Sequence, residues 1–564
     1  MRDAATFIVV CAMTATAGAQ TTTLNFNPII WKDRAGTNHP LQNTNIELWD
    51  ADSADPIPSA DDGPAGPFAT NAAGVVAMTT SAVDLFLGDD TLELYTQVRA
   101  EVPNVGKVVP AFGGATYSAR NPIGTGFFPV TEGGTFTAAP TFSPTLSTAH
   151  KAVTILQPVQ FIHNHYDNTL TGLTIPNNVE IQFNTGVPTN QPGTNRISLA
   201  HATAATGNVD SDWADIDVIF HEFGHLVAVN NNMDNRTNPA GTNFNHGFGT
   251  DNIAAQDALT GVSTATAIDW GTRLAWFEGI ATEMGLMATK NGNLNGAIPG
   301  LPALDRDEIY HDFNYNNTGN TVTTTNIAFD IERRNTGGGN AGEGDEASVA
   351  RIVWDLFDND DTNSDPLAFA NSDHNDRFGL GAQTIVNVMQ GDGDTNDHTL
   401  IDLWDEVQST QATTAKRKAE LGELFQEYGV SAIAGVGTGG AIVDDATTND
   451  RTPKLAWTEQ NSNHSDFFKV LVYDDTFTNL ITMSPVLNNM TMWDVTTPLD
   501  TGDYNWVVVA NSARQATVGD VNTSYWSGAV QITIVPLPSA VWMGMALLGV
   551  AGVVGRMRTR KCAS

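Results

Sequence analysis

The stretch His221-Glu222-Phe223-Gly224-His225 decides the reading of this chain. Two imidazoles four residues apart lie one turn apart on the same side of a helix, so His221 and His225 can converge on one ion. Glu222 stands beside them on that helix, placed to take a proton from water that zinc has acidified towards a pKa of roughly 7. The pattern points to a zinc peptidase.

The flanks support a helix. Asp215 and Asp217 would fall in its first turn, where acidic groups suit the dipole, and Asn230, Asn231 and Asn232 would end it. Val218, Ile219, Phe220, Leu226 and Val227 make it apolar enough to lie at the centre of a domain. Gly224 would let a neighbouring strand or the substrate come close.

A zinc site needs a third protein ligand. A metzincin would place Gly and His where Ala228 and Asn231 stand, which excludes that class. Further on, Trp276-Phe277-Glu278-Gly279-Ile280-Ala281 is apolar and helical in pattern, with one carboxylate where a core helix prefers none. With this segment the chain resembles the gluzincins, whose second helix carries a Glu in a Glu-Gly-x-Ala setting. The resemblance implies Zn2+ held by His221, His225 and Glu278, with Glu222 as the catalytic base. Glu283 competes for the third ligand position. Glu278 follows His225 by 53 residues, a longer interval than in thermolysin-like members, so residues 230–270, rich in Asn, Gly and Thr, read as an insertion. Those members often carry an acid one turn after the ligand Glu to orient a ligand His, and Thr282 occupies that place here.

Attack on a carbonyl also calls for an oxyanion stabiliser. Tyr310, His311, Tyr315 and His398 qualify by type, and no spacing rule selects among them. The run Asp358-Asn359-Asp360-Asp361-Thr362-Asn363-Ser364-Asp365 offers oxygen ligands for Ca2+, although it lacks the EF-hand Gly and terminal Glu; a solvated acidic loop is the competing reading. Residues 346–358 and 424–430 have helical periodicity, while residues 179–183 and 197–199 alternate as strands of a small sheet. An extended substrate could dock on the edge of that sheet.

At 564 residues the chain needs several domains. Arg2, an apolar stretch over residues 4–13 and Ala17-Gly18-Ala19 form an export signal over residues 1–19, too short to span a bilayer. At the other end, Val535-Pro536-Leu537-Pro538 precedes an apolar run and then Arg556, Arg558, Arg560 and Lys561. That order resembles a PEP-CTERM sorting tail, which implies transient membrane anchoring over residues 535–564 and cleavage by an exosortase. A plain transmembrane anchor shares the same charge pattern.

Cys11 and Cys562 both fall in these end segments, so disulfides and thiolate ligands drop out of the account of the mature chain. Removing the two segments takes away five basic residues and one acid, leaving 22 against 62 and a net charge of about −40. Nucleic acid is thereby disfavoured as a partner.

Two further regions have the short alternating strands of β-sandwiches. In residues 20–145, the run from Pro40 to Asp50 resembles transthyretin-like modules attached to secreted enzymes, and a propeptide is the alternative. In residues 450–534, Leu499 and Gly502 before Tyr504 resemble the tyrosine corner of a fibronectin type III module. The expected architecture is therefore multidomain: an α+β zinc-peptidase catalytic domain over residues 146–440, flanked by two all-β sandwich modules. The expected activity is a surface-directed zinc metalloendopeptidase cleaving protein or peptide substrates. An adhesive or surface-matrix protein with a degenerate peptidase-like domain is the competing reading, and hydrolysis of another kind of bond is a third.

Overall fold

The computed structural model describes residues 21–536 except 33–35, 51–64, 81–90, 123–127, 132–133, 186–188, 192–193, 202–210, 235–237, 291–308, 316–321, 332–341, 358–377, 392–397, 431–432, 437–445, 460–466, 489 and 512–523. The export segment, the sorting segment beyond Pro536, both cysteines and the acidic run 358–365 lie outside the described residues. Among the described residues, eight α-helices and several separate sheets form a mixed α and β architecture. No described helix is long and apolar enough to cross a membrane.

The first β-rich region is built as its alternation suggests. Strand Asn45–Asp50 lies between Thr91–Arg99 and Ala65–Ala69, with Trp49 opposite Tyr95 and their rings stacked at 6.3 Å. Ile46 and Leu48 enter the core. The chain from this region also supplies two strands to the next sheet. Gly106–Val109 pairs in parallel with Val179–Thr185, and Glu101–Val102 closes that edge. The sheet continues through Arg196–Ala200 to Thr189–Gln191 at its other edge.

Helix α1 (Thr148–Thr169), its N-terminus capped by Ser147, packs on the Glu101–Val102 and Gly106–Val109 strands of this sheet, and α2 (Ile216–Asn230) lies against both α1 and the Arg196–Ala200 and Thr189–Gln191 strands. Asp217 lies in the first turn of α2, while Asn231 caps its end and Asn232 turns into the left-handed region at φ 56°. Ile219, Phe220, Phe223 and Val227 are almost wholly buried, each stabilising the fold by roughly 1.5–3 kcal/mol. That apolar envelope lets a helix bearing two His and a Glu sit inside a core.

Residues 230–270 contain α3 (Asn252–Asp257), and α4 (Thr264–Lys290) then runs against both α2 and α5 (Glu346–Phe357). The neighbour that Gly224 admits is this helix rather than a strand: a Cβ on Gly224 would stand 2.7 Å from the Ala281 carbonyl oxygen. Two residues before Ala281, about half a turn round α4, a Cβ on Gly279 would meet Val349 at 2.6 Å. Helices α6 (Ala382–Gly391), α7 (Leu400–Thr410) and α8 (Ala415–Glu427) complete the helical part.

In the last β-rich region, Gly502–Asn511 lies between Phe467–Asp474 and Val530–Ile534. Tyr504 donates its hydroxyl proton to the Asp500 carbonyl at 3.1 Å, the corner contact expected from Leu499, Gly502 and Tyr504. Trp457 packs on Phe468, ring centroids 5.4 Å apart.

The contact between α2 and α4 leads to a prediction. Gly224→Ala should wedge the two helices apart at a cost of about 1–3 kcal/mol. Thermal denaturation should show a lowered Tm, and metal analysis a lowered affinity; an unchanged Tm would mean that the helices are not held this closely.

Candidate metal centre

The close approach of α2 and α4 brings three donor atoms to one point. His221 Nε2 lies 3.0 Å and His225 Nε2 3.2 Å from the same oxygen, Glu278 Oε2. All three residues are buried. Ligands of a tetrahedral ion with bonds of about 2.0–2.1 Å stand roughly 3.3 Å apart, so this set has the spacing to hold a metal ion.

Thr282 gives the strongest sign that the site is prepared. Its Oγ1 is 2.9 Å from His221 Nδ1. If Nδ1–H donates to this hydroxyl, the Nε2 lone pair points into the site, the tautomer a metal ligand needs. Where the sequence suggested that an acid was missing, one turn after Glu278, the Thr282 hydroxyl contacts the His221 ring.

Glu283 is not part of the centre. It is fully buried, and neither carboxylate oxygen has a hydrogen-bond partner among the described residues. Burial raises its pKa from 4.5 to about 8. Nearby Tyr166 directs its hydroxyl to the Met284 carbonyl instead. Glu278 behaves oppositely: burial opposes its charge, but His246, His225 and His221 outweigh burial and hold it well below the usual range.

His246 is the residue sequence reasoning missed, because it lies in the stretch read as an insertion. Its Nδ1 is 3.0 Å from Glu346 Oε2 and its Nε2 3.5 Å from Glu278 Oε1. Burial lowers its pKa, yet Glu278, Glu346 and Glu222 together raise it to about 9. The available signal was the alternation Phe244, His246, Phe248. Phe244 packs towards Phe277, which adjoins His225, and Phe248 packs on Tyr310, which adjoins His221. The two Phe thus flank the centre, with His246 between them.

Of the four oxyanion candidates, the structure brings Tyr310 to the centre. Its ring meets His221 edge-on at 6.0 Å, and burial, followed by the charges of Asp312, Asp217, Glu222 and Asp212, keeps its phenol protonated. His311 is drawn to Asp217, whose Oδ2 accepts its backbone N–H at 2.8 Å. His398 lies buried two residues before α7, which packs on α6. The side chain of Tyr315 lies outside the described residues.

No protein-family model matches the chain, and no curated protein matches it.

The two Glu residues should separate cleanly in experiment. Glu278→Ala should remove bound metal, measured by mass spectrometry, while Glu283→Gln should leave it at the wild-type level. Glu283 holds its proton more tightly folded than unfolded, so its stability contribution, complete below pH 4.5, is lost as pH rises towards about 8. The Tm of Glu283→Gln relative to wild type should therefore improve steadily between those limits. A pH-independent difference would show that Glu283 does not titrate in the core.

Proposed function

We propose that the protein is an exported, surface-directed zinc metallopeptidase. The observation that carries this reading is the convergence of His221 Nε2 and His225 Nε2 on Glu278 Oε2, with Glu222 on the same turn of α2. Support for export and surface sorting comes from the sequence: the leader, the Val535–Pro538 motif with its apolar run, and the basic end.

His221, His225 and Glu278 would hold the ion, and Thr282 would keep His221 in the ligating tautomer. Bound zinc supplies Lewis acidity, acidifying water and polarising a carbonyl. Glu222 would take the proton from the attacking water and pass it to the departing amine. Tyr310 would donate its hydroxyl to the oxyanion that develops on the attacked carbonyl. The strand Thr189–Gln191, at the edge of its sheet and packed on α2, offers backbone groups to which an extended peptide can add.

Peptide-library cleavage with and without chelator tests the activity. Glu222→Gln should keep its zinc and lose about 10²–10⁴-fold in kcat. Tyr310→Phe should also keep zinc, with kcat lower by about 10²–10³-fold and KM little changed. Full turnover in Glu222→Gln, or no chelator-sensitive cleavage by the wild type, would overturn the reading.

A further inference from the structure

Glu278 presents two different faces. Its Oε2 is taken by the two histidines of α2, while its Oε1 points away from them, towards His246 Nε2 at 3.5 Å. That separation exceeds the usual N–H···O range of about 2.7–3.2 Å, but it suits two donors sharing one ion with bonds of about 2.1 Å.

The His246 ring is held for such a task. Buried Glu346 anchors Nδ1 at 3.0 Å, so a metal ion that displaces the proton on Nε2 meets a ring already oriented to ligate. Nε2 is the nitrogen facing Glu278. Donor atoms of His246, Glu278 and Glu346 all lie within 4.8 Å of one another.

Glu222, Glu278 and Glu346 are all buried at this cleft, and among the described residues the ion pairs of Glu278 and Glu346 are with histidines. Three carboxylates around these imidazoles favour a cation that takes the place of the His246 proton.

We propose that the protein binds a second divalent cation between His246 Nε2 and Glu278 Oε1, with Glu278 bridging the two ions and Glu346 orienting His246. The inference rests on the reading of His221, His225 and Glu278 as the first metal centre. One imidazole with carboxylate oxygens suits zinc or manganese rather than calcium. The His246 side chain is 36% exposed, so this ion exchanges more readily than the first, whose ligands are buried.

Metal-free full-length protein titrated with Zn2+ and separately with Mn2+, read by calorimetry and by metal mass spectrometry, tests the proposal. Wild type should take up two ions, the second more weakly, and Mn2+-loaded protein should give the electron paramagnetic resonance signal of a spin-coupled pair. His246→Ala should bind one ion and give an uncoupled signal. Glu346→Gln, which keeps the ligand but loosens its anchor, should weaken the second site by about 10–100-fold. Circular dichroism establishes that each variant is folded. One ion in wild type that is lost in His221→Ala would overturn the second site and leave the proposed peptidase centre standing. Two ions retained in folded His246→Ala would likewise overturn it, and no ion in wild type would remove both readings together.

Discussion

The structure depends on placing the Glu278 carboxylate, buried on α4, against two imidazoles from α2. A carboxylate in a protein core is costly unless positive charge or donors meet it, and here three histidines surround it. Their approach depends in turn on small residues. Gly224 lets the backbone of α2 lie against that of α4 at Ala281, and Gly279 lets α4 lie against α5 at Val349. Larger side chains there would separate the donors by more than one ion can bridge.

The three-helix stack also explains why partners distant in sequence meet. Helix α5 brings Glu346 to His246, 100 residues earlier. The first turn of α2 brings Asp217 to the backbone of His311, which seats the strand Ile309–Tyr315 so that Tyr310 adjoins His221. Both contacts end on residues that the central helices position, so the candidate metal ligands and the groups that support them share one frame.

Much of this frame was legible in the sequence, for physical reasons. The limits of α2 followed from acids in its first turn and Asn at its end, and the strands near residues 46, 92, 179 and 197 followed from alternation. Residue spacing alone placed His221, Glu222 and His225 on one helix turn, whereas Glu278 was marked only by the resemblance of Glu278-Gly279-Ile280-Ala281 to the gluzincin pattern. The rest depended on tertiary geometry. Nothing local distinguishes Glu278, facing three imidazoles, from Glu283, buried without a partner five residues on. Thr282 looked like a missing acid because hydroxyl and carboxylate can both orient an imidazole, and only the 2.9 Å contact reveals the substitution. His246 was hidden in a Gly- and Asn-rich stretch because both its partners come from other helices. The parallel pairing of Gly106–Val109 with Val179–Thr185 was equally hidden, since parallel partners are joined by long connections.

The most direct test of the account is crystallography of zinc-loaded protein with data collected on either side of the zinc absorption edge. The account predicts an anomalous peak about 2.0–2.2 Å from His221 Nε2, His225 Nε2 and Glu278 Oε2. A peak ligated by Glu283, or no zinc between α2 and α4, would contradict it.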